Sequence, residues 1–275
     1  MLKLLHLTQR FPPAIGGVER HVYEISKRLA QEYEVDVFAS DLAKDRPFTR
    51  LPTSFREQAP RRVKVARFRA VRILPSHRGI SIVMPNMIPR LVHGGWDIVH
   101  SHALSYFVTY ASLFSRIRGS HLVVTTHSDP TIKMSRSHPA LLPLRKADAL
   151  IALTSAEKQK FVECGIESDR IFVVPNGIDL EPYRQMPPGS RFRLKFRLGA
   201  GPLVLYVGRV DISQKGCDVL IRAMPNVLLA FPTAKFVLAG PDWGSLHILQ
   251  RIARSFRVDP VFTGQLDQMT LIAAY

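Results

Sequence analysis

Cysteine is nearly absent from this chain: Cys164 and Cys217 are the only two in 275 residues, and neither sits in a partner motif. That excludes a disulfide scaffold and a cysteine-held zinc, and it fits a reducing compartment. Long apolar runs are missing too. No stretch of about 18 residues is free of charge or polar breaks, so a membrane-spanning helix is not expected. The opening residues Met1 to Thr8 are too short and too interrupted for a signal peptide and read as a first strand. The chain also lacks a Gly-x-x-x-x-Gly-Lys-Ser/Thr loop, a Gly-x-Gly-x-x-Gly fingerprint, a Gly-x-Ser-x-Gly elbow, a His-Glu-x-x-His helix and any Asp-x-Asp pair. Phosphate charge must then be met by Arg, Lys and backbone N–H groups, and not by a carboxylate-held divalent metal.

Acid is scarce as well. Against 38 Lys and Arg there are 22 Asp and Glu, a net charge of +16. Between Arg56 and Arg78 the basic residues are Arg56, Arg61, Arg62, Lys64, Arg67, Arg69, Arg72 and Arg78, with Glu57 the single acid. A second group, Arg184, Arg191, Arg193, Lys195 and Arg197, contains no acid and follows or flanks Met186-Pro187-Pro188-Gly189. Such segments attract polyanions: an anionic membrane face, an anionic substrate or nucleic acid. Arg-rich faces are also ordinary solvated surface.

What is present, at 46% hydrophobic residues and 31.0 kDa, is enough to build two cores. Strand-like runs are Leu4 to Thr8, Val35 to Ser40, Val63 to Phe68, Ile98 to Ser101, Leu122 to Thr126, Ala149 to Leu153 and Ile171 to Val174. Helical patterns fall between several of them, notably Val18 to Glu32, Ala103 to Arg118 and Ser155 to Cys164. This alternation predicts an α/β fold with a doubly wound parallel sheet. The pattern pauses from about 182 to 200 and restarts, with strands at Leu203 to Gly208, Ala234 to Ala239 and Val261 to Thr263. The expected helices there are Asp218 to Phe231, Ser245 to Phe256 and Gln265 to Tyr275. The expected organisation is a first Rossmann-like domain over 1–183, a basic linker over 184–200 and a partial second domain over 201–275, with ligands expected at the carboxyl edges of the strands.

Three places at strand ends carry chemistry. Leu203-Val204-Leu205-Tyr206-Val207-Gly208-Arg209 runs out at a glycine and then delivers a guanidinium, with Lys215-Gly216 six residues on. That arrangement suits phosphate oxygens. After the first strand, Gly16-Gly17 opens a helix and allows its N–H groups to face an anion, although a tight turn alone would also call for a glycine. His127 follows the strand Val123-Val124-Thr125-Thr126, in the zone that faces a ligand. His100 and His102, two residues apart on a strand, share a face, but the sequence supplies no third ligand beside them, so no metal site is expected.

Together these stretches resemble the retaining glycosyltransferases of family 4, which have the two-domain GT-B fold, and the phosphatidylinositol mannosyltransferase-type members in particular. The matching motifs are Gly16-Gly17-Val18-Glu19-Arg20-His21-Val22, Asp97-Ile98-Val99-His100-Ser101-His102, Thr125-Thr126-His127, Val174-Pro175-Asn176-Gly177-Ile178-Asp179, Val207-Gly208-Arg209 with Lys215-Gly216, and Phe262-Thr263-Gly264. The resemblance implies transfer of a hexose from a nucleotide sugar to a lipid-linked or polysaccharide acceptor, with retention and without a metal or other cofactor. It implies catalytic roles for His127, Arg209 and Lys215, with Arg209 and Lys215 on the diphosphate. Donor contacts fall to Gly16, Gly17, Gly208, Phe262, Thr263 and Gly264. Arg61, Arg62, Lys64, Arg67, Arg69 and Arg72 are expected to meet the acceptor or an anionic membrane surface, in a cytoplasmic protein peripheral to the inner face. Nucleic acid is not expected as a partner.

The sequence departs from the family in two respects. Ser128 follows His127 where many relatives have Asp or Gly. Family members also continue past the position of Tyr275 into a strand and two glutamates eight positions apart that bind sugar and ribose. The chain as given is therefore expected to be truncated and impaired in transfer. A non-catalytic remnant that binds anionic surfaces, and a nucleotide-sugar epimerase of related fold, stay open as alternatives.

Overall fold

The computed structural model describes residues 1–44, 48–76, 79–102, 106–127 and 141–275. Arg78, Ser128 and the first residues of the helix expected from Ala103 lie outside them. The chain divides into two compact units, Met1–Gly177 and Ile178–Tyr275.

In the first unit the strands are β1 (Lys3–Thr8), β2 (Glu34–Ser40), β3 (Leu42–Lys44), β4 (Thr49–Arg50), β5 (Val63–Phe68), β6 (Val71–Ser76), β7 (Gly79–Val83), β8 (Ile98–His102), β9 (His121–Thr125), β10 (Ala149–Ala152) and β11 (Ile171–Val173). Its helices are α1 (Gly17–Leu29), α2 (Met87–His93), α3 (Tyr106–Ser112), α4 (Leu142–Lys146) and α5 (Ser155–Glu163). Seven strands form one parallel sheet in the order β11-β10-β9-β8-β1-β2-β5. The two-residue period of β1 explains its two-sided burial. Leu5 and Leu7 point into a core shared with Met87, Leu91, Val108, Leu144 and Phe161 on the later helices. Leu4 points the other way, into a cluster with Val22 of α1 and Val35 and Val37 of β2. The chain winds outward through β1, β2 and β5, then returns to the other side of β1 with β8. This makes the carboxyl ends of β1 and β8 the topological switch point, where open α/β sheets take their ligands.

The second unit holds α6 (Gly189–Lys195), β12 (Leu203–Val207), α7 (Cys217–Ala230), β13 (Lys235–Ala239), α8 (Leu246–Ser255), β14 (Val261–Gly264) and α9 (Gln268–Ala274). Its parallel sheet has the order β12-β13-β14. One face carries Val204, Tyr206, Phe236 and Leu238 against α7 and α8. The opposite face carries Leu203, Leu205 and Val237 against α6 and α9.

The main elements match the expected strands and helices within a few residues, and the differences have physical reasons. The antiparallel pairs β3–β4 and β6–β7 were not expected, since their few residues fall within charged or proline-bearing stretches. The stretch read as a basic pause holds α6. Phe192, 1% exposed, and Phe196 one turn on pack in a tilted arrangement with ring centroids 4.9 Å apart, and Leu198 is also buried. The many arginines of that segment hid its i, i+4 apolar pair. No described helix is long and apolar enough to cross a membrane.

Candidate functional site

At the switch point of the first unit the parallel register aligns Leu4 with Ile98, His6 with His100 and Thr8 with His102, while His102 pairs with Thr125. Because alternate residues share a face, the α1 side of the sheet is apolar at the amino end, where Leu4 and Ile98 pack, and lined by imidazoles at the carboxyl end. His21 joins them from α1, and His127 from the residues just beyond β9. His6 Nδ1 lies 2.9 Å from His102 Nε2, and His102 Nδ1 lies 3.1 Å from His127 Nε2. The His21 ring meets that of His127 edge-on at 4.8 Å. His100 is tied elsewhere, with Nε2 2.8 Å from Thr125 Oγ1.

Burial holds all five rings neutral. It lowers the His6 pKa to about 3, with the charge of His21 as a second cause, and that of His127 to about 4 for the same two reasons. His100 and His102 are pushed well below the ordinary value, and His21 is lowered, in each case chiefly by desolvation. His127 is held in place from behind. Its backbone has φ 51, a left-handed conformation uncommon for a residue with a side chain. The preceding Thr126 donates to Glu157 Oε1 at 2.7 Å, and Glu157 is fixed by Thr154, the N-cap of α5, and by the Leu153 N–H.

The glycine pair at the start of α1 has two different explanations. A Cβ on Gly16 would lie 2.0 Å from Glu19 Oε2, and Glu19 is buried in an ion pair with Arg10 at 2.7 Å. Gly16 thus makes room for that pair. Gly17 is exposed, and a Cβ there would meet nothing within 4 Å, so its freedom is not needed for packing.

The second unit presents a different edge. Each of its strands ends on a glycine with positive φ: Gly208 at 159°, Gly240 at 150° and Gly264 at 69°. The backbones interlock there, with Gly208 N–H donating to Ala239 O and Gly240 N–H to Gly264 O. A Cβ on Gly240 would lie 1.9 Å from Gly208 O, so only glycine permits this approach. Arg209 follows, its guanidinium 4.8 Å from the Trp243 ring centroid and Nη2 donating to Gln214 at 2.7 Å. Tyr206 donates its hydroxyl to Arg209 O at 2.8 Å, and burial pushes that phenol's pKa up. Asp211 shapes the next turn by accepting from Ser213 N–H, and the chain then delivers Lys215, exposed, and Gly216, the left-handed N-cap of α7. The strand end thereby offers a restrained guanidinium, and the residue before the N-cap of α7 an ammonium.

A profile of glycosyltransferase family 4 matches residues 15–182, well over half of the chain. The chain belongs to glycosyltransferase family 4. An uncharacterized glycosyltransferase of Methanocaldococcus jannaschii is 24% identical over 99% of the chain and 72% of its own length. Phosphatidyl-myo-inositol mannosyltransferase of Mycobacterium tuberculosis is 27% identical over 92% of the chain; the match covers 63% of that enzyme. Several of the inositol 3-phosphate glycosyltransferases it matches are spanned for only 36 to 55% of their length. Among solved structures, Anabaena HepE in complex with UDP-glucose superposes with a TM-score of 0.74 at 18% identity, covering all of this chain and 72% of HepE. The fold is the GT-B fold of these glycosyltransferases.

In this family-4 chain the expected site residues divide by position. His127 and Gly16–Gly17 lie at the carboxyl edge of the first sheet; Gly208, Arg209, Lys215, Thr263 and Gly264 lie at that of the second. Phe262 packs against the core under α7 and α8. The basic segment does not form one surface. Arg67 is mostly buried: it pairs with Glu57 at 2.8 Å, donates to Phe11 O and Ser40 O, and stacks on Phe11 and Phe55. Arg61 and Arg62, exposed before β5, line a cavity of about 440 Å³ with Lys27 and Tyr23. Lys64 lies on β5, and Arg69 and Arg72 are exposed beyond its other end. Sequence reasoning missed His6, His21, Gly240 and the Arg10–Glu19 pair. It left His100 and His102 without a third imidazole, because the additional rings arrive from β1, α1 and the end of β9. The signal available was His6 at the even, α1-facing positions of β1; Gly240 was visible as a glycine ending an apolar run, as Gly208 is.

Proposed function

We propose that the chain transfers a hexose from a nucleotide sugar to a lipid-linked or polysaccharide acceptor, with retention of configuration and with no metal on the diphosphate. The observation that carries this reading is the edge of the second sheet. The strand ends interlock through glycines that carry no side chain, beside a restrained Arg209 and an exposed Lys215, which suits a pyrophosphate that gathers negative charge as the glycosidic bond breaks. The UDP-glucose complex of HepE and the names of the mycobacterial relatives support a nucleotide sugar and a glycolipid acceptor.

The first unit offers groups of its own: the N–H groups at the start of α1 suit an anion, and His127, neutral and restrained, suits a hydrogen bond to a sugar hydroxyl. The acid adjoining the glycine pair, Glu19, is engaged by Arg10, so it is not a free base. A donor phosphate oxygen then takes the acceptor proton as the hydroxyl attacks from the leaving-group face, which retains the configuration. The test is incubation with UDP- and GDP-hexoses and a phosphoinositide or prenyl-phosphate acceptor in the presence of EDTA, with NMR of the product anomer. An α-linked product from an α-donor is expected. Inverted product, or transfer abolished by EDTA and restored by magnesium, would overturn the reading.

A further inference from the structure

The cations of the first unit fall into two groups. Arg20 and Arg28 of α1 both pair with Glu24, and Arg67 pairs with Glu57. Lys27, Arg61 and Arg62 are different: among the described residues their side chains have no ion-pair or hydrogen-bond partner. All three line the same cavity of about 440 Å³, within the size range of small-molecule sites, and no carboxylate lines it with them. We propose that this cavity binds a phosphate monoester carried on a small polar scaffold, a sugar or polyol, at a site separate from the one that transfers sugar.

Topology sets that separation. The strands of the sheet are parallel, so the end of α1 and the start of β5 share the edge opposite to the imidazoles. At 1.5 Å per residue, Lys27 lies about 15 Å further along α1 than Gly17. Arg61 and Arg62 are the central residues of a turn closed by Val63 N–H, which donates to Pro60 O at 3.0 Å. Pro60 is buried and Val63 belongs to the core with Val22 and Val35, so the turn is anchored at both ends. Arg62 has φ 67, a left-handed conformation for which glycine or asparagine is the easier residue. An arginine held this way on an anchored turn, with no partner of its own, is presented to a ligand and not packed.

The rest of the wall suits the scaffold that carries the phosphate. Gln31 offers an amide, while Pro60 and Tyr23, whose ring centroid lies 6.0 Å from that of Phe11, offer apolar surface. Carbonyls at the end of α1 would repel an anion, but those of Arg28 and Leu29 accept from the N–H groups of Gln31, Glu32 and Tyr33. A monoester carries close to two negative charges near pH 7. Three unpaired cations, two of them forked guanidiniums, match that charge better than the single charge of a diester.

The proposal does not rest on sugar transfer, and its test separates this cavity from the edge of the second unit. Glucose 6-phosphate is titrated calorimetrically into the 275-residue chain near physiological salt, with glucose as the control. About one glucose 6-phosphate per chain is expected, and no binding of glucose. Replacing Arg61 and Arg62 together by Ala should weaken binding on the order of 100-fold and Lys27→Gln about 10-fold, since each removes a charged hydrogen-bond donor. Arg209→Ala should leave it within a few-fold. In ¹H–¹⁵N spectra of the unmodified chain the ligand should shift the Gln31 side-chain amide and the backbone amides of Arg61 and Arg62. A lipid headgroup can carry the same phosphate, so vesicles containing phosphatidylinositol 4-phosphate are compared with phosphatidylserine vesicles of equal surface charge. Preference for the phosphoinositide that requires both arginines assigns the cavity to a headgroup; saturable binding of glucose 6-phosphate without it assigns the cavity to a soluble ester. Binding that survives loss of both arginines, or that disappears in Arg209→Ala, would overturn the proposal. So would the absence of saturable glucose 6-phosphate binding together with equal binding to the two kinds of vesicle.

Discussion

The two units of this chain present the same architectural feature, the carboxyl edge of a parallel sheet, with opposite chemistry. At the first edge stand five imidazoles held neutral by burial, with His6, His102 and His127 hydrogen-bonded in a chain, His21 packed against the last two and His100 bonded to Thr125. At the second stand two cations beside interlocked glycine strand ends, with Lys215 exposed and Arg209 half-buried and held by Trp243 and Gln214. The difference follows from where each edge finds its hydrogen bonds. Imidazoles can satisfy one another inside the protein, whereas guanidinium and ammonium groups need water or an anion.

The largest effect should come from removing the charge that defines the second edge. Arg209→Ala is expected to lower transfer by about 10²–10³-fold, the usual loss for one preorganised group facing developing negative charge. His100→Asn, at the first edge, should change transfer by less than about 10-fold, because that ring bonds Thr125 and not the ligand. Steady-state rates with one donor compare them, and equal losses would erase the distinction between the edges.

Acid sharpens the same comparison. An unfolded histidine titrates near 6.5, and the folded values of His127 and His6 are about 4 and about 3. Between these values the unfolded chain binds more protons, so stability is full above about 6.5 and is lost as the pH falls; the loss levels off below about 4 for His127 and about 3 for His6. Each histidine contributes up to about 1.4 kcal/mol per pH unit. Urea midpoints of the chain from pH 7.5 to 4.5 should fall accordingly, and His127→Asn should flatten the slope. A flat profile in the unaltered chain would mean that the imidazole cluster is not buried in solution.

Much of this was legible in the sequence because it depends on local pattern. The strand runs, the glycine pair and the Gly208-Arg209 step each follow from residues within ten positions of one another, and the structure puts them at strand ends as expected. His6 and His21 could not be read that way. Their meeting with His102 depends on β8 returning to lie beside β1, about 90 residues along the chain, and periodicity does not encode that crossing. The basic segments misled for the opposite reason. Charge density suggested a pause where Phe192 and Phe196 anchor a helix, and it suggested one basic face where Arg67 is instead a mostly buried packing residue.

Gly240 tests whether the glycine rim is a fixed device. Gly240→Ala sets a Cβ against Gly208 O at 1.9 Å and requires φ 150 of a residue with a side chain, so about 2–4 kcal/mol of stability should be lost. Gly17→Ala at the first edge meets open space and should cost about 1 kcal/mol or less. Chemical denaturation measures both, and a neutral Gly240→Ala would mean that the three strand ends do not interlock.

The smallest effect separates charge used for packing from charge left free, within one strand and its flanks. Arg67 donates to three backbone carbonyls, those of Phe11, Pro12 and Ser40, pairs with Glu57 and stacks on two rings, so Arg67→Ala should destabilise the first unit by about 2 kcal/mol and leave vesicle binding little changed in whatever remains folded. Arg61 and Arg62 have exposed side chains at the mouth of the Lys27 cavity, and replacing both by Ala should leave the urea midpoint unchanged. Their charge should matter only to an anion, and at a lipid surface by about 1 kcal/mol each and less at high salt. Co-sedimentation with vesicles of 30% phosphatidylserine, at two ionic strengths and beside neutral vesicles, separates the two kinds of arginine. If Arg67→Ala weakened vesicle binding as much as the double change did, the basic segment would act as one electrostatic face after all, and its division into buried and free cations would carry no functional meaning.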